Sequence, residues 1–278
     1  ARAAVQQACW PNGILCFQER MGLMRNLFSV EGKVALVTGG SRGIGEMIAR
    51  GFVENGAKVY VSSRKAEVCD RVAEELSAYG TCISIPSDLS KMDGITGLAA
   101  AIAAREPKLD ILVNNAGATW GAPIDEYPED GWDKTVDLNT KSIFFLTQKL
   151  LPQLRAAATW EDPSRVINIA SVNGIEPPGL ETYAYSTSKA GCIMLTRHLA
   201  KRLAGDNILV NAIAPGPFQS HMMAATLARA GDAIAKANPR GRIGTPEDIA
   251  GVAIFLSSRA SAYTTGAVVP CDGGSAEV

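Results

Sequence analysis

Lys33-Val-Ala-Leu-Val-Thr-Gly-Gly-Ser-Arg-Gly-Ile-Gly45 joins a short apolar run to a glycine-rich turn. Val34 to Val37 is apolar without alternation, the pattern of a strand buried on both faces. Glu46 to Asn55 then reads as a helix, and Gly56 stops it. Strand, glycine turn and helix, in that order, is the context that gives a glycine motif meaning. Glycines let the backbone approach a pyrophosphate, which the helix N-terminus stabilises. The plainer alternative is a turn that merely needs glycine.

The next strand is Ala57 to Ser63. A site for NAD usually places Asp or Glu at the end of this strand, against the ribose 2′-hydroxyl. Here the end is Ser62-Ser63-Arg64, with no acid. Arg64, joined by Arg42 from the glycine turn, suits a 2′-phosphate instead, which predicts NADP. Lys65 to Tyr79 is helical, Thr81 to Pro86 a strand before Ser87-Asp88-Leu89, and Lys91 to Arg105 a helix. Leu109 to Val113 is the fourth strand and ends in Asn114-Asn115-Ala116-Gly117. The alternation predicts an α/β fold: a single-domain, Rossmann-type, doubly wound sheet of about seven parallel strands with helices on both faces.

The whole chain has 278 residues, 47% of them hydrophobic and 20% charged, which suits one large globular domain. A formal net charge of −1 argues against nucleic acid as a partner and against an anionic membrane surface. No apolar run is long enough to span a bilayer. Cys9, Cys16, Cys69, Cys82, Cys192 and Cys271 are scattered, with no C-x-x-C pair. They read as reduced thiols of a cytoplasmic protein. The two histidines, His198 and His221, are too few and isolated for a zinc site, so no metal is expected. Residues 1–30 read as an irregular N-terminal extension ahead of a domain at 31–278. Before Glu19 the only charge is Arg2, which leaves a targeting remnant open, although serine is scarce. Met21 and Met24 are both candidate starts.

In the second half, Trp132 to Ala157 reads as one long helix carrying Asn139, a residue suited to a kink or a bound water. The fifth strand, Arg165 to Ala170, delivers Ser171 at its C-terminal end, where open parallel sheets bind ligands. The sixth is Asn207 to Ile213, before Ala214-Pro215-Gly216-Pro217, and the seventh is Ala267 to Cys271, before Asp272-Gly273-Gly274. Between them lies Thr182-Tyr-Ala-Tyr-Ser-Thr-Ser-Lys189. On a helix, Tyr185 and Lys189 share a face one turn apart. A free phenol ionises near pH 10, and a neighbouring cation favours its phenolate, which suits proton transfer. The pair alone also fits an ordinary surface couple.

Taken in order, Thr38 to Gly45, Asn114 to Gly117, Ser171, Tyr185 with Lys189, and Pro215-Gly216 resemble the short-chain dehydrogenase/reductase family over residues 30–278. Within it the chain is similar to NADPH-dependent 3-oxoacyl (β-ketoacyl) reductases of the rhamnolipid-precursor type. The insertion Ala157 to Pro163 and the long step from Ser171 to Tyr185 carry that likeness. The resemblance implies Tyr185 as general acid, Lys189 as its cationic partner and ribose ligand, Ser171 as the group polarising the carbonyl, and Asn139 as holder of a relay water. It implies that Gly39, Ser41, Arg42, Gly43, Ile44 and Gly45 wrap the phosphates. Ser63 and Arg64 belong to the same nucleotide site. Asp88 would meet the adenine, with Leu89 flanking it, and Asn115 and Gly117 would line the ribose. Phe218 and Ser220 would contact the carboxamide; many members have Thr at the latter position. Donors on the carbonyl oxygen stabilise developing charge by roughly 3–4 kcal/mol each.

A segment near 218–239, rich in Ala and Met, is expected to form a mobile lid over a small-molecule carbonyl or alcohol substrate. A plain packed helix is the alternative. Trp120 suits a pocket wall or the core equally. Relatives imply a homo-oligomer, dimer or tetramer, built on the helices at 132–157 and 185–203 and the last strand. Two other functions stay open: an NADP-dependent dehydrogenase of a sugar alcohol, polyol or steroid, and a silent nucleotide-binding scaffold.

Overall fold

The computed structural model describes residues 24, 26–220 and 222–276. The expected extension therefore lies largely outside the described residues, as do Cys9 and Cys16. The body starts ahead of residue 31, because Val30 is fully buried and Ala260 N donates to Leu27 O at 2.9 Å.

Seven strands form one sheet: β1 (Val34–Thr38), β2 (Lys58–Ser62), β3 (Cys82–Ser84), β4 (Ile111–Asn114), β5 (Ser164–Ile169), β6 (Ile208–Pro215) and β7 (Val268–Cys271). Their spatial order is β3-β2-β1-β4-β5-β6-β7, and every neighbouring pair is parallel. The chain winds outward from β1 to β3, then returns to lay β4 on the other side of β1. That reversal opens a crevice beyond the carboxyl ends of β1 and β4.

The helices are α1 (Gly43–Glu54), α2 (Ala66–Ser77), α3 (Met92–Ala103), α4 (Glu129–Val136), α5 (Ser142–Ala157), α6 (Tyr183–Leu203), α7 (Ala224–Ala237) and α8 (Pro246–Ser257). Strand residues alternate between two cores, which explains the unbroken apolar runs. Ala35, Val37, Val59 and Val61 face α1, α2 and α8, meeting Ile48, Phe52, Leu76 and Ile249. Leu36, Tyr60 and Leu112 face α3, α5 and α6, meeting Leu98, Ile102, Leu146 and Leu150. α1 and α8 approach closely because Gly51 lies against Ala250, where a Cβ would sit only 2.6 Å away.

The helix expected over Trp132–Ala157 is longer and interrupted. α4 starts at Glu129 and passes into α5 through a π-turn, Asp137–Lys141. Asn139 sits in that turn, fully buried. Single π-turns inside helices mark places where a side chain is turned to a task other than the helix ladder. The four described cysteines are free thiols. Burial pushes the Cys82 thiol up to about 12.

Candidate active site

The carboxyl end of β5 sets the first functional group. Ala170 N still donates to Ile213 O at 2.8 Å, so Ser171 leaves the sheet from a fixed point. Its extended backbone caps a 3-10 turn, Val172–Gly174, and its Oγ accepts from Asn173 N at 3.1 Å. Gly174 rests on α6 so closely that a Cβ would lie 2.6 Å from the Lys189 carbonyl carbon. The turn and the helix are thereby locked together, with buried Ser171 beside the early turns of α6.

α6 supplies the second pair. Its buried stripe runs Ala184, Ser188, Lys189, Cys192, Ile193, Thr196, Ala200 and Leu203, so Lys189 faces the sheet. Only 4% of Lys189 is exposed. A charge that far from water needs a partner. Lys189 Nζ donates to Ile169 O at 2.7 Å, at the end of β5. The same ammonium stands 5.7 Å from the centroid of the half-buried Tyr185 ring. Gly117 completes this corner: a Cβ there would lie 3.7 Å from Nζ and 3.2 Å from Asn139 Oδ1.

Asn139 clamps the corner shut. Its Nδ2 donates to Ala118 O and to Ser188 Oγ, both at 2.9 Å, and its Oδ1 accepts from Ala118 N at 2.8 Å. Ser188 Oγ in turn donates to Tyr185 O at 2.8 Å. The π-turn aims the amide at the strand end of β4, and both amide hydrogens are spent on protein atoms. The water expected on Asn139 therefore finds no free donor on its side chain.

At the carboxyl end of β1, Thr38 Oγ1 donates to Val113 O at 3.2 Å and accepts from Asn115 N (2.9 Å) and Ala116 N (3.0 Å). Asn115 Nδ2 donates back to Thr38 O at 2.9 Å and Gly39 O at 3.2 Å. Gly39 takes φ 63° and Gly43 φ 55°, conformations that glycine adopts without strain. A Cβ on Gly45 would overlap Gly39 O and Asn115 Nδ2. The backbone of the turn thus lies bare at the start of α1, a cradle for phosphate. Arg42, just before α1, and Arg64, just past β2, are both exposed at this end of the sheet.

A family model described as enoyl-(acyl carrier protein) reductase matches residues 39–276. The rhamnolipids biosynthesis 3-oxoacyl-[acyl-carrier-protein] reductase of Pseudomonas aeruginosa is 51% identical over 253 residues, 90% of this chain and 99% of that protein. The chain belongs to the short-chain dehydrogenase/reductase family. The Pseudomonas aeruginosa RhlG/NADP active-site complex superposes with a TM-score of 0.87 at 50% identity, covering 90% of this chain and 99% of that one. A 2-dehydro-3-deoxy-D-gluconate 5-dehydrogenase of Pseudoalteromonas atlantica is 38% identical, over 90% of this chain and 98% of that protein.

As a short-chain dehydrogenase/reductase, the chain gathers most of its expected site residues along the crevice, and two stand differently from expectation. Phe218 is 2% exposed, its ring in the core under Gly244, so its side chain faces away from any ligand and only its backbone remains for contact. Leu89 is likewise a core residue, 4% exposed. Asp88 Oδ1 accepts from Ser90 N (3.1 Å) and Ser90 Oγ (2.8 Å), which fixes the loop after β3. Ser220 lies over the glycine turn, where a Cβ on Gly43 would come within 3.1 Å of its own Cβ. Ser41 is buried within the turn, and Ile44 packs against the core. Among the described residues Ser63 Oγ, next to Arg64, is one of several buried hydroxyls with no hydrogen-bond partner. Such a hydroxyl is costly unless something bonds it, by about 1–3 kcal/mol.

Sequence reasoning gave no role to three residues that hold this site, although Thr38 and Asn114 lie within the quoted motifs. Thr38 knots the two strand ends, and Ser188 ties Asn139 to the Tyr185 carbonyl. The third, Asn114, bonds Asn168 Oδ1 at 2.9 Å and Thr147 Oγ1 at 3.2 Å across the sheet. A hydroxyl directly before the glycine turn was the one visible signal.

Proposed function

We propose that the protein reduces a 3-oxoacyl ketone to the secondary alcohol with NADPH as hydride donor. The observation that carries this is the buried ammonium of Lys189, held on Ile169 O and set against the Tyr185 ring, beside Ser171 on a turn locked to the same helix. The residues present fit the dinucleotide: a glycine cradle with no room for Cβ atoms, a buried unpartnered Ser63 hydroxyl and two exposed arginines. Gly39, Ser41, Gly43 and Gly45 would hold the phosphates, Arg42, Ser63 and Arg64 the 2′-phosphate, and Asn115, Gly117 and Lys189 the nicotinamide-side ribose.

When bound, NADPH supplies the hydride. The chain's own residues do the rest. Ser171 and Tyr185 donate hydrogen bonds to the carbonyl oxygen, and negative charge on that oxygen strengthens both as it grows. Tyr185 hands over its proton. The Lys189 cation stabilises the charge left on the phenol. Asn139 braces the corner beside Lys189 through Ala118 and Ser188, and a relay water would bond its Oδ1, which accepts only from Ala118 N, or the backbone of the π-turn. A segment near 218–239, which includes α7, closes over an apolar substrate.

Support for the substrate class is the 51% identity to a 3-oxoacyl reductase, against 38% to a sugar-acid dehydrogenase. The test compares NADPH oxidation by a 3-oxoacyl thioester with NADP+ reduction by 2-dehydro-3-deoxygluconate, whose C5 alcohol a 5-dehydrogenase would oxidise. Faster turnover of the thioester is expected; faster turnover of the sugar acid would overturn the assignment. Binding of NADPH without turnover of either would favour a silent scaffold.

We further infer a homo-oligomer working in the cytoplasm. Trp132, Phe144 and Met194 are exposed on α4, α5 and α6, and β7 is only half-buried, unlike the fully buried β1. Exposed large apolar groups suit contact with a second copy. Among the described residues, no helix is long and apolar enough to cross a membrane.

A further inference from the structure

We propose that Asn238 is a positioning residue for the reaction: it anchors the carboxyl-terminal half of α7, so that closure over substrate is confined to the amino-terminal half. The proposal rests on the lid reading above for its kinetic consequence, and on geometry alone for the division of the helix.

The excursion that carries α7 has a closed neck. Phe218 and Gly244 form a single parallel bridge, and Gly244 N donates to Pro217 O at 2.9 Å. Phe218 is buried against Gly244, so both ends of the excursion are fixed in the core. Between them, α7 is not one rigid rod. Ala230 leaves helical geometry (φ −142°, ψ 20°), and glycine follows at position 231. A non-helical residue followed by glycine is a place where backbone torsions can change at low cost.

The two halves differ in attachment. Asn238, directly after the second half, is 6% exposed, and its amide is fully engaged. Nδ2 donates to Asp272 O at 2.7 Å and to Ser275 Oγ at 3.2 Å, while Oδ1 accepts from Arg240 N at 2.8 Å. Its backbone N–H also closes the helix on Ile234 O at 3.1 Å. Asp272 follows β7 and lies against Gly216, where a Cβ would sit 2.7 Å from the Asp272 Cβ. One aspartate thus touches the residue that opens the excursion and holds the residue that ends its helix. Among the described residues, no hydrogen bond or ion pair joins 224–231 to the body of the fold; no described side chain of α7 is buried in either half, so the tie at Asn238 is what sets the second half apart.

Trypsin reads the difference directly, because Arg229 lies before the kink and Lys236 after it. In the intact wild-type protein we expect limited cleavage after Arg229 and protection after Lys236, with NADPH plus a 3-hydroxyacyl product slowing the first cut. In Asn238→Ala, Lys236 becomes cleavable, and KM for the ketone rises roughly tenfold with kcat changed less than threefold or so. Asn238→Gln, which keeps the amide, restores part of both effects. Wild-type cleavage at Lys236 as fast as at Arg229 would overturn the proposal. So would an Asn238→Ala protein with wild-type cleavage and KM. Should no ketone be turned over by the wild type, the functional reading fails while the proteolysis still decides the anchor.

Discussion

Arg64 carries the choice of nucleotide in this account. It stands exposed past the end of β2, beside the buried unpartnered Ser63 hydroxyl, where a carboxylate would select NAD. Arg64→Ala is expected to raise KM for NADPH about tenfold, the value of a solvent-screened charge-assisted contact to phosphate. KM for NADH should stay unchanged. Steady-state kinetics with both nucleotides checks it, and an equal loss with NADH would place Arg64 outside the 2′-phosphate site. At the same scale, Tyr185 and Lys189 were legible because helical spacing is local and fixed. Phe218 was not. An aromatic residue after Pro215-Gly216-Pro217 looks like a ligand contact, yet the bridge to Gly244 turns its ring into the core.

Among the elements, α8 gives the clearest pH signature. Thr245 caps it, and the Asp248 carboxylate accepts from Thr245 N at 2.8 Å and from Arg242 Nη2 at 3.0 Å. Hydrogen bonding to Arg242, then to the Thr245 backbone, holds Asp248 well below the usual carboxylate range. A depressed folded pKa contributes stability above the unfolded value near 4, and that stability is lost as pH falls below it. Asp248→Asn should therefore lower stability by about 1 kcal/mol at pH 7. The deficit should shrink as the pH is taken down from about 4 toward 2. Denaturant titrations across that range test this; a deficit independent of pH would remove the ion from the explanation. α4–α5 shows where local pattern reading stops. Its apolar periodicity runs on through Asp137–Lys141, so the sequence reads as one helix. Only the long-range pairing of Asn139 with Ala118 and Ser188 forces the wider turn. The strands were legible for the opposite reason, since burial on both faces leaves a run of apolar residues that needs no distant partner to be seen.

For the whole molecule, the unpartnered surface makes its own prediction. Met194 on α6 and Phe144 on α5 stand exposed, on the helices proposed above to meet a second copy. Met194→Glu combined with Phe144→Glu is expected to shift the protein to a smaller species in native mass spectrometry, with the far-UV spectrum unchanged. An unaltered assembly would locate the subunit contact elsewhere. The sheet order was also recoverable in outline from the sequence, because strand–helix alternation enforces parallel crossovers. The anchoring of Asn238 on Asp272 was not, because nothing in either local stretch names the other.

The claim that everything else serves is proton delivery by Tyr185. The direct measurement compares wild type and Tyr185→Phe in two assays on the same preparation, NADPH binding by fluorescence titration and single-turnover reduction of a 3-oxoacyl thioester. NADPH affinity is expected within about threefold of wild type, with the reduction rate down at least about a hundredfold. A Tyr185→Phe protein that binds NADPH and reduces the ketone at the wild-type rate would contradict the account.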